Sequence, residues 1–393
     1  MRGIAMIISK ITLKNWRNFE SVNVPLFERM FLVGPNAAGK SNFLDVFKFL
    51  RDLAMPGGGL QKAIADRGGV PQIRCLSARK ENDIGLTVEL KDPDSFKFAW
   101  KYSIGIKLQE RGEREPYLIH EKVWRDGESI PFINRPEKED QLDPKRLTQT
   151  YLEQISANAQ FRGVSEFFQE IKYLHLVPQL IKYPEAFRGK KLTGDPYGLD
   201  FLGSVAATKP KTRDARLRKI SQALTLAVPQ LGELTYKPDE TFGVPHLEAT
   251  FKHWRPGAGK QRENQFSDGT LRLIGFLWSL LSGDSLLLLE KPELSLHTGI
   301  VSQLPRIIHR LQRGKTGKRQ VILSTHSEAL LSDRSIDPIE VLMLIPGSGG
   351  STSVTSASTD DEIAALLSGG MNIAEAIIPR TKAKNAHQLV LNF

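Results

Sequence analysis

The chain has 393 residues, 40% of them apolar, and a formal net charge of +10, enough for one large core or two or three smaller ones. Its longest apolar runs, Ile4 to Ile8 and Val341 to Ile345, fall far short of the roughly 20 residues of a membrane-spanning helix, and the first is too short for a signal peptide, so a cytoplasmic chain with no membrane partner is expected. A single cysteine, Cys75, excludes an intrachain disulfide and a cysteine-rich metal site.

Residues 7 to 26 alternate apolar and polar side chains around an Asn/Arg cluster, which predicts an early strand or hairpin. Next, Met30-Phe31-Leu32-Val33 leads into Gly34-Pro35-Asn36-Ala37-Ala38-Gly39-Lys40-Ser41, and large apolar residues recur at helical spacing from Asn42 to Leu50. Strand, glycine loop and helix in that order form a triphosphate site. Glycines let successive N–H groups surround phosphate oxygens, the lysine adds a point charge, and the serine hydroxyl can ligate Mg²⁺. The helix N-terminus adds partial positive charge. Pro56-Gly57-Gly58-Gly59 breaks the chain, and Leu60 to Gly69 predicts a short helix ended by glycine.

From about 82 to 135, short alternating runs such as Ile84 to Leu90, Phe96 to Ile104 and Tyr117 to Trp124 predict an antiparallel sheet of hairpins. Helical spacing returns from about 140 to 230, broken at Pro178, Pro184, Pro196, Pro210 and Pro229, so no long coiled coil can run through it. Cations cluster at Lys209, Lys211, Arg213, Arg216, Arg218 and Lys219, and again at Arg306, Arg310, Arg313, Lys315, Lys318 and Arg319; each cluster is either a polyanion contact or a solvated face.

Phe266-Ser267-Asp268-Gly269-Thr270-Leu271-Arg272 precedes an apolar helix that Ser267 or Asp268 can cap. Leu286 to Leu289 predict a buried strand that ends at Glu290-Lys291-Pro292-Glu293-Leu294-Ser295-Leu296-His297. An acid at the carboxyl end of a parallel strand is where a Mg²⁺-nucleotide is expected in an open α/β sheet. Gln320 to Ser327 repeats the pattern, with Ser324-Thr325-His326 at the strand tip. Within the short low-complexity stretch from Pro346 to Ser358, Gly347-Ser348-Gly349-Gly350-Ser351 reads as a flexible loop, and Gly370 to Ala376 with Arg380 as a final helix.

These stretches together resemble the ABC-type ATPase heads of the RecF, SMC and OLD group, AAA-family ATPases frequent in bacterial DNA repair and anti-phage defence. The match rests on Ile11 to Phe19, the Walker A loop at 34 to 41, a signature-like Phe266 to Arg272, the Walker B segment from Leu286 to His297 and the switch Ser324-Thr325-His326. The resemblance implies an α/β head with a mainly parallel P-loop sheet, an antiparallel β subdomain and a helical lobe. It assigns 1–135 and 283–393 to a nucleotide-binding lobe and 136–282 to a helical or inserted lobe carrying the signature. Gly34 to Ser41 and Asn42 would hold ATP, Ser41 and Glu290 the Mg²⁺. Two heads would pair through ATP as a homodimer or higher oligomer, Ser267 and the Gly269 backbone of one meeting the γ-phosphate held by the other.

This group usually has two adjacent acids after the Walker B strand, the second polarising the attacking water. Here Lys291 follows Glu290, and a charged ammonium accepts no proton. Three explanations stand: Lys291 holds the γ-phosphate in an ATP-locked switch, it is a change that traps the ATP-bound state, or a shifted loop brings another acid to the water. His326 and, after it, Glu293 are the candidate substitutes. No second catalytic constellation is visible, and too little chain follows His326 for the nuclease domain of the OLD type. The expected protein is therefore an ATP-dependent dimer switch controlling a separate effector, a nuclease or toxin, in anti-phage defence. A non-hydrolysing scaffold and a RecF-like repair clamp that contacts nucleic acid are the alternatives.

Overall fold

The computed structural model describes residues 6–78, 83–95, 97–109, 114–187, 194–252, 259–313 and 319–381. Of the residues singled out by sequence, Ile4, Phe96, Lys315 and Lys318 lie outside these ranges.

The chain opens with strands β1 (Ile7–Trp16), β2 (Phe19–Pro25) and β3 (Arg29–Val33), followed by helix α1 (Lys40–Ala54). Strands β4 (Ile84–Lys91), β5 (Trp100–Leu108), β6 (Pro116–Arg125) and β7 (Ile133–Arg135) come next, then α2 (Arg162–Gln169), β8 (Lys172–Leu174) and α3 (Pro178–Lys182). Helix α4 (Pro210–Ala227) leads to β9 (Leu231–Pro238), β10 (Pro245–Phe251), β11 (Lys260–Arg262) and α5 (Asp268–Leu280). The last part holds β12 (Leu287–Glu290), α6 (Leu304–Gln312), β13 (Val321–Thr325), β14 (Val341–Pro346), β15 (Thr352–Ser356) and α7 (Ile373–Thr381).

One six-stranded sheet, in the order β15-β14-β3-β13-β12-β8, is parallel except for its edge strand β15. A second, in the order β2-β1-β4-β5-β6-β7, is antiparallel throughout. The burial patterns explain the difference. β3 and β13 are buried at every position, as parallel strands covered on both faces must be, whereas β4 alternates buried and half-buried residues along its whole length.

Successive residues of the parallel strands feed two separate cores. Met30, Leu32, Leu288 and Ile322 pack with α1, α2 and the antiparallel sheet; Phe31, Val33, Leu289 and Leu323 pack with α4, α5 and α6 on the other face. Each such side chain contributes roughly 1.5–3 kcal/mol by its burial, so a one-residue slip of register would invert both cores together. Two polar side chains tie the sheets to one another. Gln320 accepts from the Ile8 N–H at 2.9 Å and donates to the Ile8 and Phe27 carbonyls at 2.8 and 2.9 Å. Asn18 donates to Thr352 Oγ1 at 2.8 Å and accepts from its N–H, through the Asn18 carbonyl, at 2.7 Å.

The register aligns the strand ends that matter. Glu290 lies beside Ser324, and Thr325 beside Val33. The glycine loop, Glu290 and His326 therefore leave the sheet along one edge.

Two readings need refinement. Within 136–282, expected as a helical or inserted lobe, β8 joins the parallel sheet beside β12, and β9 to β11 form a three-stranded antiparallel sheet. β8 escaped notice because three residues are too few to display a period. The Gly347-Ser348-Gly349-Gly350-Ser351 segment makes the expected turn, between β14 and β15, which pair from Leu342 to Pro346 and from Thr352 to Ser356. Finally, Arg319 is no part of a solvated cationic face: it is 5% exposed. Arg306 is paired with Asp333 at 2.9 Å. No helix among the described residues is long and apolar enough to cross a membrane.

Candidate nucleotide site

The glycine loop turns directly off β3 into α1. Gly39, the residue before α1, has φ +91°, where L side chains are strained. A Cβ there would also come within 2.2 Å of the Asn18 amide. That amide backs the loop, donating to the Ala38 carbonyl at 3.1 Å, while Asn42 donates to Asn18 Oδ1 at 2.8 Å. At Gly34 a Cβ would lie 2.6 Å from the Leu344 carbonyl, so the loop can sit tight against β14 only with glycine there. α1 carries no side-chain cap. Its first N–H groups are left to the ligand, as an anion site requires.

Inside the loop, Lys40 Nζ donates to the carbonyls of Gly34 and Pro35 at 2.7 and 2.8 Å. Burial, and then the charge of Lys291, bring its pKa down to about 8. Ser41 Oγ donates to Glu290 Oε1 at 2.6 Å, and Tyr173 on β8 donates to Glu290 Oε2 at 2.5 Å. Burial, with the bond to Glu290 and its charge behind it, pushes the Tyr173 hydroxyl far above its ordinary range, so it stays a donor. His175 Nδ1 lies 3.1 Å from the Glu290 carbonyl.

His326 Nδ1 is 3.0 Å from the Gly34 carbonyl. A carbonyl only accepts, so Nδ1 carries the proton. Burial, followed by the Lys40 and Lys291 charges, lowers the imidazole pKa; the ring is neutral and Nε2 is its acceptor. Glu293 Oε1 accepts from Thr325 Oγ1 at 2.7 Å and from the His326 N–H at 3.2 Å. Glu293 thus holds the switch backbone, and burial raises its pKa. Lys291 has φ +47°, and its N–H donates to the Ser324 carbonyl at 3.0 Å.

These groups converge on a cavity of about 310 Å³, walled by the loop and the start of α1 from Asn36 to Asn42 and, opposite, by Lys291 and His326. Pro35 and Ala38 shape it from behind, through the carbonyl on Lys40 and the carbonyl on Asn18. Ser267 and Gly269 are not in this cavity. Ser267 is the N-cap of α5, its Oγ accepting from the Thr270 N–H at 3.1 Å, and it is exposed. The neighbouring Asp268 is held by Lys182 at 2.7 Å and Gln179 at 2.8 Å, both on α3.

The donor set suits Mg²⁺. That ion takes one or two protein oxygens and completes its shell with water and phosphate oxygens, and Ser41 Oγ and Glu290 Oε1 already lie together at the cavity edge. Among the described residues no group of three or more His, Cys, Asp or Glu forms an all-protein metal cage. Sequence reading missed Tyr173, His175 and Asn18. For Asn18 a signal existed in the Asn15-Trp16-Arg17-Asn18 cluster, which the resemblance covered without assigning a role.

The lowered Lys40 pKa makes a measurable expectation. A bound triphosphate stabilises the ammonium and raises its pKa, so ATP binding should take up little proton at about pH 7, about half a proton at pH 8 and close to one near pH 9. Calorimetry in two buffers of different ionisation enthalpy reads this directly. Equal heats near pH 9 would show that Lys40 does not meet the phosphates.

A family model described as "AAA domain, putative AbiEii toxin, Type IV TA system" matches residues 29–332. Among curated proteins, endonuclease GajA of Bacillus cereus (strain VD045) is 43% identical over 58 residues, which is 15% of this chain and 10% of that protein. Among solved structures, an Smc head bound to the C-winged helix domain of ScpA superposes with a TM-score of 0.51 at 16% identity, over 89% of this chain and 97% of that one. An Smc head with an extended coiled coil, bound to the C-terminal domain of ScpA derived from Pyrococcus furiosus, gives 0.52 at 14% identity, over 93% and 100%. At these identities the likeness speaks for the fold, that of an SMC-type ATPase head.

Proposed function

The chain belongs to this AAA-domain family, matched over residues 29–332, and from that membership we propose that it is an ATP-dependent dimer switch that controls a separate effector. The observation that carries the reading is the convergence of Lys40, Lys291 and His326 on one cavity, with the Ser41–Glu290 pair at its edge.

Lys40 exchanges two carbonyls for the β- and γ-phosphate oxygens, a change from neutral acceptors to stronger, charged ones. Ser41 and Glu290 would hold Mg²⁺, which would neutralise phosphate charge. Tyr173 keeps the Glu290 carboxylate oriented by occupying its second oxygen. His326, neutral and fixed through Nδ1, offers Nε2 to the attacking water. Lys291 stands opposite the loop as a charge that steadies the γ-phosphate and takes no proton. Hydrolysis is accordingly slow, and the ATP-bound state is long-lived.

The exposed Ser267 and the N–H of the half-buried Gly269, at the start of α5, meet the γ-phosphate held by a second copy. ATP then belongs to the contact between two chains, and its binding shifts the population toward the dimer in proportion to its differential affinity for that state. Sedimentation velocity should show dimer with ATP and Mg²⁺ and monomer without, and Ser267→Arg should abolish the shift while leaving ATP binding within about twofold, since Ser267 lies outside the chain's own cavity. Identical profiles with and without ATP would reject the switch.

The effector in this reading is a nuclease or toxin of an anti-phage system, in keeping with the short stretch shared with an endonuclease. Purification of the chain from its native host should bring that protein along, and recovery of the chain alone would count against it. One observation favours a second reading. With Lys291 where the group has an acid, the chain could be a scaffold that holds ATP without turnover; tight ATP retention with no phosphate release would select it.

A further inference from the structure

On the far side of the parallel sheet from the glycine loop, where β12 and β13 begin, a cavity of about 790 Å³ opens between α4, α5 and α6. Its rim is cationic, with Lys211, Arg216 and Lys219 on α4, and its floor is apolar, with Leu281, Ile308 and Leu311. Arg319 enters from the start of β13 and is 5% exposed. Its Nε donates to the Ser285 carbonyl at 2.7 Å, and Nη1 donates to the carbonyls of Ser279 and Ser282. Nη2 is buried with no hydrogen-bond partner among the described residues. A guanidinium nitrogen carries N–H donors that an interior position ordinarily satisfies, so this one lacks an acceptor.

One carboxylate, Asp284, lines the cavity, against four cations, Lys211, Arg216, Lys219 and Arg319. Arg216 reaches Ser282 Oγ at 3.1 Å, and Lys172 on β8 stands close enough that, after burial, Arg319 and Arg216 are the main influences lowering its pKa. Asp284 and Glu170 are the acids that face this group. An anion placed here would supply an acceptor to Nη2 and relieve the repulsion among Arg216, Lys172 and Arg319.

We propose that this cavity is a second anion site, separate from the glycine loop, that takes a small phosphate ester whose phosphate meets Arg216 and Arg319 and whose body lies on the leucine and isoleucine floor. The volume lies in the range of small-ligand sites. Burial of Arg319 argues for a compact ligand over a polymer: a nucleic acid backbone rides on surface cations and does not reach a side chain at the bottom of a cavity. The proposal does not depend on the dimer switch.

The test uses the full-length chain with inorganic pyrophosphate as the probe. Calorimetry should find saturable binding that persists in Lys40→Ala, where the glycine loop has lost its charge. It should weaken about tenfold or more in Lys211→Glu/Lys219→Glu, as expected when charge-assisted contacts are lost. Both lysines are exposed, so this variant folds, with an unchanged melting temperature as the control. Arg319→Met should abolish the binding, judged only if its melting curve stays cooperative. Absence of saturable binding, its loss in Lys40→Ala, or its indifference to the lysine reversals would each overturn the proposal. So would binding of a single-stranded oligonucleotide that depends on Lys211 and Lys219 while pyrophosphate fails to compete, which would assign the cavity to a polymer.

Discussion

Replacing Lys291 with glutamate is expected to raise ATP turnover by about 10²- to 10⁴-fold, the contribution of a positioned general base. The backbone at 291 is already where the group's second acid would be. It lies next to Glu290, its N–H is fixed on the Ser324 carbonyl, and its side chain borders the cavity opposite the glycine loop. Its φ of +47° strains lysine and glutamate alike, because both carry a Cβ, so the exchange alters chemistry without a new backbone cost. A carboxylate at 291 would accept the proton of the water that the ammonium cannot.

The same exchange has a second signature. Lys291 is the leading charge that lowers the Lys40 pKa; with glutamate in its place that pKa rises, and the window of proton uptake on ATP binding moves above pH 8. Steady-state phosphate release by the two proteins, with His326→Asn in each background, checks the assignment. The histidine change should remove most of the residual rate when lysine is present and much less when glutamate is. Equal turnover by the parent and Lys291→Glu would show that 291 is not the base position.

Replacing Arg135 with leucine is expected to cost about 3–5 kcal/mol of stability, the penalty for stranding buried charge. Arg135 and its partners Glu121 and Asp140 have fully buried side chains, paired at 2.9 Å each. Glu121 also accepts from the Tyr102 hydroxyl at 2.9 Å and from the Tyr151 N–H at 2.8 Å. Arg135 donates besides to the carbonyls of Gln149 and Arg146 at 2.9 and 2.8 Å. The network fastens the end of the antiparallel sheet to the segment that leads into α2, and leucine would remove the one cation that lies between both buried carboxyl groups and the donor to two carbonyls. Urea unfolding measures the loss. Glu121 and Asp140 changed together with Arg135 to apolar residues should recover part of it, as a satisfied or absent network costs less than a broken one. A midpoint unchanged in Arg135→Leu would show that the ion pairs add nothing.

How much of this was legible in the sequence depended on distance along the chain. The glycine loop announces itself because its parts are contiguous: an apolar strand, glycines at fixed spacing, a lysine, a serine and a helical period. Glu290 and His326 could be placed because one follows four leucines and the other follows Val321-Ile322-Leu323 and two small polar residues, and such runs in an α/β chain become buried parallel strands. Tyr173 could not. It lies 117 positions before Glu290 on a strand of three residues, and the proline five residues later suggested only an interrupted helix. Asn18 hid for a related reason, as its role is to fill the space under Gly39 that only the folded loop creates. Arg319 was misread because a run of charges in a sequence looks the same whether its last member is in water or lies against three backbone carbonyls.

Residues 173 to 182 touch two separate places. Tyr173 and His175 grip Glu290 at the edge of the chain's own cavity, and Gln179 and Lys182 grip Asp268, beside the exposed Ser267. Ten residues thus join the acid proposed for Mg²⁺ to the start of α5, so a substitution that loosens this segment should be felt at both places.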